Sequence, residues 1–282
     1  MPEDGRSDAE LAKAAITESF DRSAEVYEQT GVAFFAPQGV ELVARAAPKP
    51  GEVVLDLGCG RGHCLFPVAE AVGPAGRVVG TDLSARMVEL CGAEVAARGL
   101  DGYVRVEVGD ASAPDFPPGS FDLVTAGHVM FLVPEPRPAV RAIAALLRPG
   151  GRLAMSTFGP SDAKFGKAME VLYAHYEGPP WNVPDDRPFD DGASITAMLE
   201  QAGFVHVRVE EIAYDSEFDD LDHFWAWLSS HGGRILMDLL SPARLAEAKA
   251  AAFAALAGAC GPGGRVVNRS LVRYTTAALP VG

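Results

Sequence analysis

The chain has 282 residues, nearly half of them hydrophobic, which is enough for one large α/β core with insertions. Its formal net charge of −14, with no Lys/Arg cluster or basic helix to offset it, argues against nucleic acid as a substrate or partner. The four cysteines, Cys59, Cys64, Cys91 and Cys260, form no C-x-x-C pair, which argues against a zinc site or a disulfide framework, and no apolar run approaches the ~20 residues of a membrane span.

Residues 1–10 read as a frayed, acidic tail with no basic-then-apolar signal pattern, and with the scattered thiols this predicts a cytoplasmic protein. From Leu11 to Ala47, helix formers anchored by Phe20, Val26, Tyr27, Phe34 and Phe35 predict two or three short helices. Pro48 to Gly51 punctuates, and strand-like and helix-like segments then alternate. Strands are predicted at Glu52–Leu57, Arg77–Gly80, Tyr103–Val108, Phe121–Ala126 and Gly151–Thr157, with helices between them, which implies a parallel sheet wound on both sides. After Gly159 a helix, a Pro- and Trp-rich loop at 178–184 and an aromatic, helical stretch from Asp215 to Cys260 interrupt the last strands, predicted at Val205–Ile212 and Arg265–Thr275.

The first strand leads into Leu55-Asp56-Leu57-Gly58-Cys59-Gly60-Arg61-Gly62. Glycines there let backbone N–H groups approach a polar cofactor end. The spacing is G-x-G-x-G, whereas a dinucleotide turn requires G-x-G-x-x-G, and the preceding Asp56 would oppose a pyrophosphate but suits an ammonium. The segment resembles motif I of class I S-adenosylmethionine (SAM)-dependent methyltransferases. Further stretches resemble that family in order: Val79-Gly80-Thr81-Asp82-Leu83-Ser84 with Met87, then Gly109-Asp110-Ala111, Phe121-Asp122-Leu123-Val124, and Leu147-Arg148-Pro149-Gly150-Gly151. Together they cover about residues 52–158, and the N-terminal stretch around Tyr27 is similar to that of quinone-pathway methyltransferases.

The resemblance implies a Rossmann-like, doubly wound, mostly parallel seven-stranded sheet with an antiparallel last strand and helical lid insertions. Residues 1–50 would be N-terminal helices covering the site, and 51–282 the SAM-binding domain with insertions at about 160–192 and 215–262. It implies SAM as cofactor, no metal, and methyl transfer to an O, N or C atom of a small apolar or aromatic metabolite by a monomer or homodimer; the rival on this fold is a pericyclase or isomerase that keeps SAM without transferring its methyl. The cofactor set implied is Tyr27, Asp56, Gly58, Cys59, Gly60, Asp82, Leu83, Met87, Gly109, Asp110, Ala111 and Gly127. Asp82 would hold the ribose hydroxyls and Asp110 meet the adenine, although either could instead serve a turn or helix cap. Tyr27 either closes over the cofactor's methionine end or packs.

His128 follows the fourth strand, where an imidazole could take a proton from an acceptor or simply pack. His231 is the second candidate base, and His223 a weaker one. Phe131, Trp181 and Trp225 are the expected substrate-binding residues. Aromatic residues in the insertions, Phe189, Phe224 and Trp227 included, serve either as substrate walls or as anchors to a core.

Overall fold

Residues 7–177 and 188–282 are described by the computed structural model, so Trp181 and the loop at 178–184 lie outside the described residues. The chain divides into two compact units. One comprises Phe35–Phe158, Asn182–Ile212 and Val272–Gly282, and the other Met1–Phe34, Gly159–Trp181 and Ala213–Leu271.

Seven strands form one sheet: β1 (Val53–Leu57), β2 (Arg77–Asp82), β3 (Val104–Val108), β4 (Phe121–Gly127), β5 (Leu147–Ser161), β6 (Val205–Phe218) and β7 (Val266–Ala278), in the order β3-β2-β1-β4-β5-β7-β6. β1 pairs in parallel with both β2 and β4, β2 with β3, and β4 with β5. The order reverses between β1 and β4, and crevices for ligands open at the carboxyl ends of strands at such a switch point. β7 runs antiparallel to β5: Gly150 N–H donates to Pro280 O at 3.0 Å and Leu279 N–H to Gly151 O at 2.8 Å, so residue numbers rise along one strand as they fall along the other. The expected seven-stranded sheet with an antiparallel last strand is what folds.

Buried on both faces, the central strands carry near-continuous apolar runs. Leu55, Leu57, Val124, Ala126 and Met155 meet α5 (Pro136–Leu146) and α7 (Gly192–Gln201) on one face. On the other, α2 (Phe35–Ala46), α3 (Leu65–Val72) and α4 (Ala85–Ala97) pack against β1, β2, β3 and β4. Ser84 caps α4 by accepting the Met87 N–H at 3.0 Å, and Asp191 caps α7 by accepting that of Ser194 at 2.7 Å.

The second unit is largely helical: α1 (Asp8–Ser23), α6 (Ala163–Ala174), α8 (Leu221–Leu228), α9 (Gly233–Asp238) and α10 (Pro242–Leu256), with α6 against α10 and α1 against α9. The rings of Phe34, Phe165, Phe218, Phe224 and Trp227 make its aromatic core, with centroids 4.7–5.8 Å apart for neighbouring pairs. Two sequence expectations are corrected here. Residues 7–10 are not frayed, because Ser7 and Glu10 form a reciprocal capping box that starts α1 at Asp8. β6 runs to Phe218 and β7 to Ala278, well past their expected ends, since each satisfies the other's backbone as neighbours in the sheet, a pairing that local alternation does not reveal.

Candidate active site

The chain leaves β1 into a turn whose glycines sit at φ of +63° (Gly58), +50° (Gly60) and +88° (Gly62), a region that strains any residue with a Cβ. Gly58 is doubly constrained, because a Cβ there would lie 2.2 Å from Val129 Cγ2 just beyond β4. Gly60 differs: nothing lies within 4 Å of its would-be Cβ, so the turn leaves an open cradle there. Cys59 N–H donates to Thr81 O at 2.9 Å, and Gly60 N–H to Asp82 Oδ2 at 2.9 Å. The other oxygen of Asp82 accepts the Ser84 N–H at 2.9 Å, so one carboxylate ties the glycine turn to the start of α4. A carboxylate has about four acceptor sites, so one that caps backbone N–H groups can also take hydroxyl donors.

Asp56 is buried. Its Oδ1 accepts the Thr125 hydroxyl at 2.7 Å, and its Oδ2 is buried with no hydrogen-bond partner among the described residues. Burial pushes this carboxyl up to about 7 and the neighbouring charge of Asp82 adds to the rise, while the Thr125 hydrogen bond and the Leu65 N–H at the head of α3 pull the other way. An orphaned carboxylate oxygen beside an open glycine cradle fits a cofactor that brings a cation.

The remaining expected cofactor residues fall into two groups. Leu83, Gly109, Asp110 and Gly127 are half-buried at the carboxyl ends of β2, β3 and β4, with Asp110 Oδ1 accepting the Ser112 N–H at 2.7 Å. Met87, Ala111 and Cys59 are buried. The Cys59 thiol is pushed well up by its hydrogen bond with Cys91 and by burial, which leaves Cys59 to act through its backbone. Tyr27 lies in the helical unit, half-buried, with its ring 6.5 Å from that of Phe20.

His128 stands directly after β4 at φ +53°, left-handed for a residue with a side chain. Its N–H is shared between Ser156 O and Ser156 Oγ, each at 3.1 Å. Three phenyl rings surround the imidazole, those of Phe158 at 4.6 Å, Phe35 at 5.4 Å and Phe131 at 6.4 Å between centroids, and both ring nitrogens are buried. Phe158 is 37% exposed, the open side of this aromatic nest. Since Val129 closes on Gly58, His128 is one residue from contact with the cofactor turn.

The histidines of the helical unit are placed differently. His231 is buried edge-on to Trp227 at 4.4 Å, and burial pushes it down to about 4 against the opposing charge of Glu28. His223 Nδ1 accepts the Asp219 N–H at 3.2 Å, which makes Nε2 the donor to Thr30 O at 2.9 Å, a structural arrangement. Trp225 packs against Phe253 at 6.0 Å with Lys249 Nζ 5.8 Å above its ring. Sequence reasoning missed Thr125, Ser156 and Phe158. The first two were signalled only as polar residues inside apolar strands, and Phe158 by nothing local.

The family model for a methyltransferase domain matches residues 54–151. The chain is 37% identical to nocamycin O-methyltransferase of Saccharothrix syringae over 93% of this chain and 98% of that protein. It is 43% identical to aklanonic acid methyltransferase of Streptomyces sp. strain C5 over 51% of this chain and 66% of that one. Among solved structures, a [4+2]-cyclase superimposes with a TM-score of 0.59 at 22% identity over 88% of this chain and 82% of that chain, a likeness of fold. A relative this similar over almost the whole length, together with the glycine turn, its acidic partners and the sheet order, shows that the chain belongs to the SAM-dependent methyltransferases.

Proposed function

We propose that the chain moves the methyl group of SAM to an oxygen of a small, planar, ring-bearing metabolite, with His128 as the base that accepts the hydroxyl proton. The aromatic nest of Phe35, Phe131 and Phe158 around His128, one residue from the Gly58 turn, carries this reading. The naming of a relative at 37% identity as an O-methyltransferase supports oxygen as the acceptor atom.

SAM supplies an electrophilic methyl on a sulfonium, whose positive charge disappears as the methyl leaves. The backbone of Gly58–Gly60 and the carboxylates of Asp56 and Asp82 would hold it, with Leu83, Met87, Gly109, Asp110, Ala111 and Gly127 along the carboxyl ends of β2–β4. With SAM bound, His128 would take the proton of the acceptor hydroxyl as that oxygen received the methyl, and the cofactor would leave as S-adenosylhomocysteine (SAH). Phenyl rings exclude water from the reacting atoms and offer faces for stacking, with Phe158 as the ring a planar acceptor meets first. A base near its operating pH contributes about 10²–10⁴ in rate, and His231, held neutral down to about 4, is poorly matched to that task.

No helix among the described residues is long and apolar enough to cross a membrane, and no group of three metal-ligating side chains occurs among them. We infer a cytoplasmic monomer or homodimer without a nucleic-acid partner, a reading supported by the free thiols and the acidic charge. The test is incubation of the purified protein with SAM and a panel of phenols and enols, followed by mass spectrometry. A product heavier by CH₂ with equimolar SAH is expected. Consumption of an acceptor with no SAH formed would move the chain to the non-methylating class instead.

A further inference from the structure

The methyltransferase site occupies the carboxyl ends of the strands. At their amino ends, within the same unit, a second cavity of about 540 Å³ opens beside β1, β2, β3 and β4. Its floor is apolar, with Val53 and Val79 on the sheet and Phe116 from the β3–β4 loop set edge-on to Phe121 at 5.2 Å. Pro117, Ser120 and three arginines, Arg77, Arg105 and Arg148, complete its lining.

Strand register explains why the guanidinium groups gather there. Val53 lies opposite Arg77 and Val79 opposite Arg105 in parallel pairing, and Arg77 and Val79 are two apart on one strand, so all four side chains leave the same face of the sheet. Further along, that face is covered by α5 and α7. At this corner the described lining comes from strands and the β3–β4 loop, and arginine stands where a helix-facing strand would carry an apolar residue.

The three cations are not equally engaged. Arg148 is a strut: it donates to Asp122 Oδ1 at 2.6 Å and to the carbonyls of Gly119 and Ser120, both at 3.3 Å. Arg105 has only a 3.4 Å contact with Glu107, both side chains being well exposed, a pairing worth little in water. The Arg77 side chain has no ion-pair or hydrogen-bond partner among the described residues. In a chain of net charge −14, two guanidinium groups with free donors therefore stand over one aromatic-walled cavity. The forked donors of arginine match a carboxylate, and the Phe116–Phe121 wall matches a ring.

We propose that this cavity is a second small-molecule site, taking a ring-bearing carboxylate whose anionic end is held by Arg77 and Arg105 and whose ring lies against Phe116 and Phe121. It stands apart from the methyl-transfer reading, since none of these residues belongs to the cofactor turn or the His128 nest.

The probe is 2-naphthoate, titrated by calorimetry into the full chain saturated with SAH, so that the cofactor site is filled. Saturable binding is expected, weakened about tenfold or more in Arg77→Gln/Arg105→Gln and for the neutral isostere 2-naphthamide, the scale of a lost charged hydrogen-bond partner. Both arginines are exposed, and glutamine keeps much of the aliphatic stem that covers Val53 and Val79, so SAH affinity should stay within about twofold of the parent. Naphthoate binding unchanged by the double substitution, equal binding of the amide, or no saturable binding would each overturn the proposal and leave the arginines as cover for this corner of the sheet.

Discussion

Asp56→Asn removes a carboxyl that the fold holds near 7, against an ordinary value of 3.8. A raised folded-state value means the native protein binds the proton more tightly than the unfolded chain does. Its stabilising effect is therefore complete below about pH 4, is lost progressively as pH rises to 7, and stays lost above. The span of about three pH units corresponds to roughly 4 kcal/mol at 1.36 kcal/mol per unit, an upper scale that relaxation of the site reduces to about 2–4 kcal/mol. Asparagine keeps an oxygen for the Thr125 hydroxyl but does not titrate. In the SAM-free protein the variant should gain on the parent steadily from pH 5 to pH 7.5, by about 4–8 °C in melting temperature at the upper end. Other titrating groups are common to both proteins and cancel in the difference. Cofactor binding adds a second readout: a cation beside the carboxylate favours its ionised form, so SAH affinity of the parent should fall as pH drops below 7 while that of Asp56→Asn stays weak and flat. Paired melts and calorimetry across this range decide the matter. A stability difference independent of pH would refute the raised carboxyl, and a pH-independent SAH affinity in the parent would refute its pairing with the cofactor's ammonium.

Gly58→Ala places a methyl 2.2 Å from Val129 Cγ2 at φ +63° and should cost well over about 2 kcal/mol in urea unfolding, whereas Gly60→Ala, with open space around it, should cost only about 1 kcal/mol yet lose most SAH affinity by filling the cradle. Asp82→Ala removes the acceptor of the Gly60 and Ser84 N–H groups and, in the proposed binding mode, of the ribose hydroxyls, so calorimetry should show SAH binding weaker by about 1–3 kcal/mol together with a lower melting temperature. His231, depressed from 6.5 to about 4, stabilises the fold above 6.5 and loses that contribution as pH falls towards 4, a slope opposite in sign to that of Asp56; His231→Phe should flatten the acid limb of the melting curve without changing turnover near neutral pH. His128→Gln should cut turnover of a phenolic acceptor by about 10²-fold or more with SAH affinity nearly unchanged, and turnover within a few-fold of the parent across pH 6–9 would remove the base from this residue.

What could be read from the sequence is what the backbone encodes locally. The G-x-G-x-G turn announces itself because positive φ at Gly58, Gly60 and Gly62 excludes other residues, and the acids after β2 and β3 announce themselves by their distance from strand ends. Contacts between segments distant in the chain could not be read in this way. Asp56 looks like a cofactor ligand in one dimension, and only its burial against Thr125, 69 residues on, reveals that it titrates near neutrality. Ser156 and Phe158 come from the strand beside β4, brought to His128 by a register that alternation alone does not fix. The aromatic insertion was ambiguous for the opposite reason: Phe224 and Trp227 have the right composition for a ligand wall, yet their neighbours Phe34, Phe165 and Phe218 make them core.

His128 unites both kinds of information. Its place after β4 is legible, but its left-handed backbone is not, and that conformation bears on its role. A non-glycine residue in this region carries strain of about 1 kcal/mol or more, which persists only where the surroundings over-determine it. Here the bonds from its N–H to Ser156 O and Oγ and the three phenyl rings do so. Glycine would adopt φ +53° without that strain, and would free the space the imidazole takes from Phe158. The imidazole must therefore contribute more than the strain removes, by packing or by proton transfer. Packing alone predicts that phenylalanine replaces it without loss, since the nest is already aromatic. The decisive comparison is His128→Phe: retained stability with abolished methylation of a hydroxyl acceptor would assign the strained position to chemistry, and retained methylation would assign it to the nest.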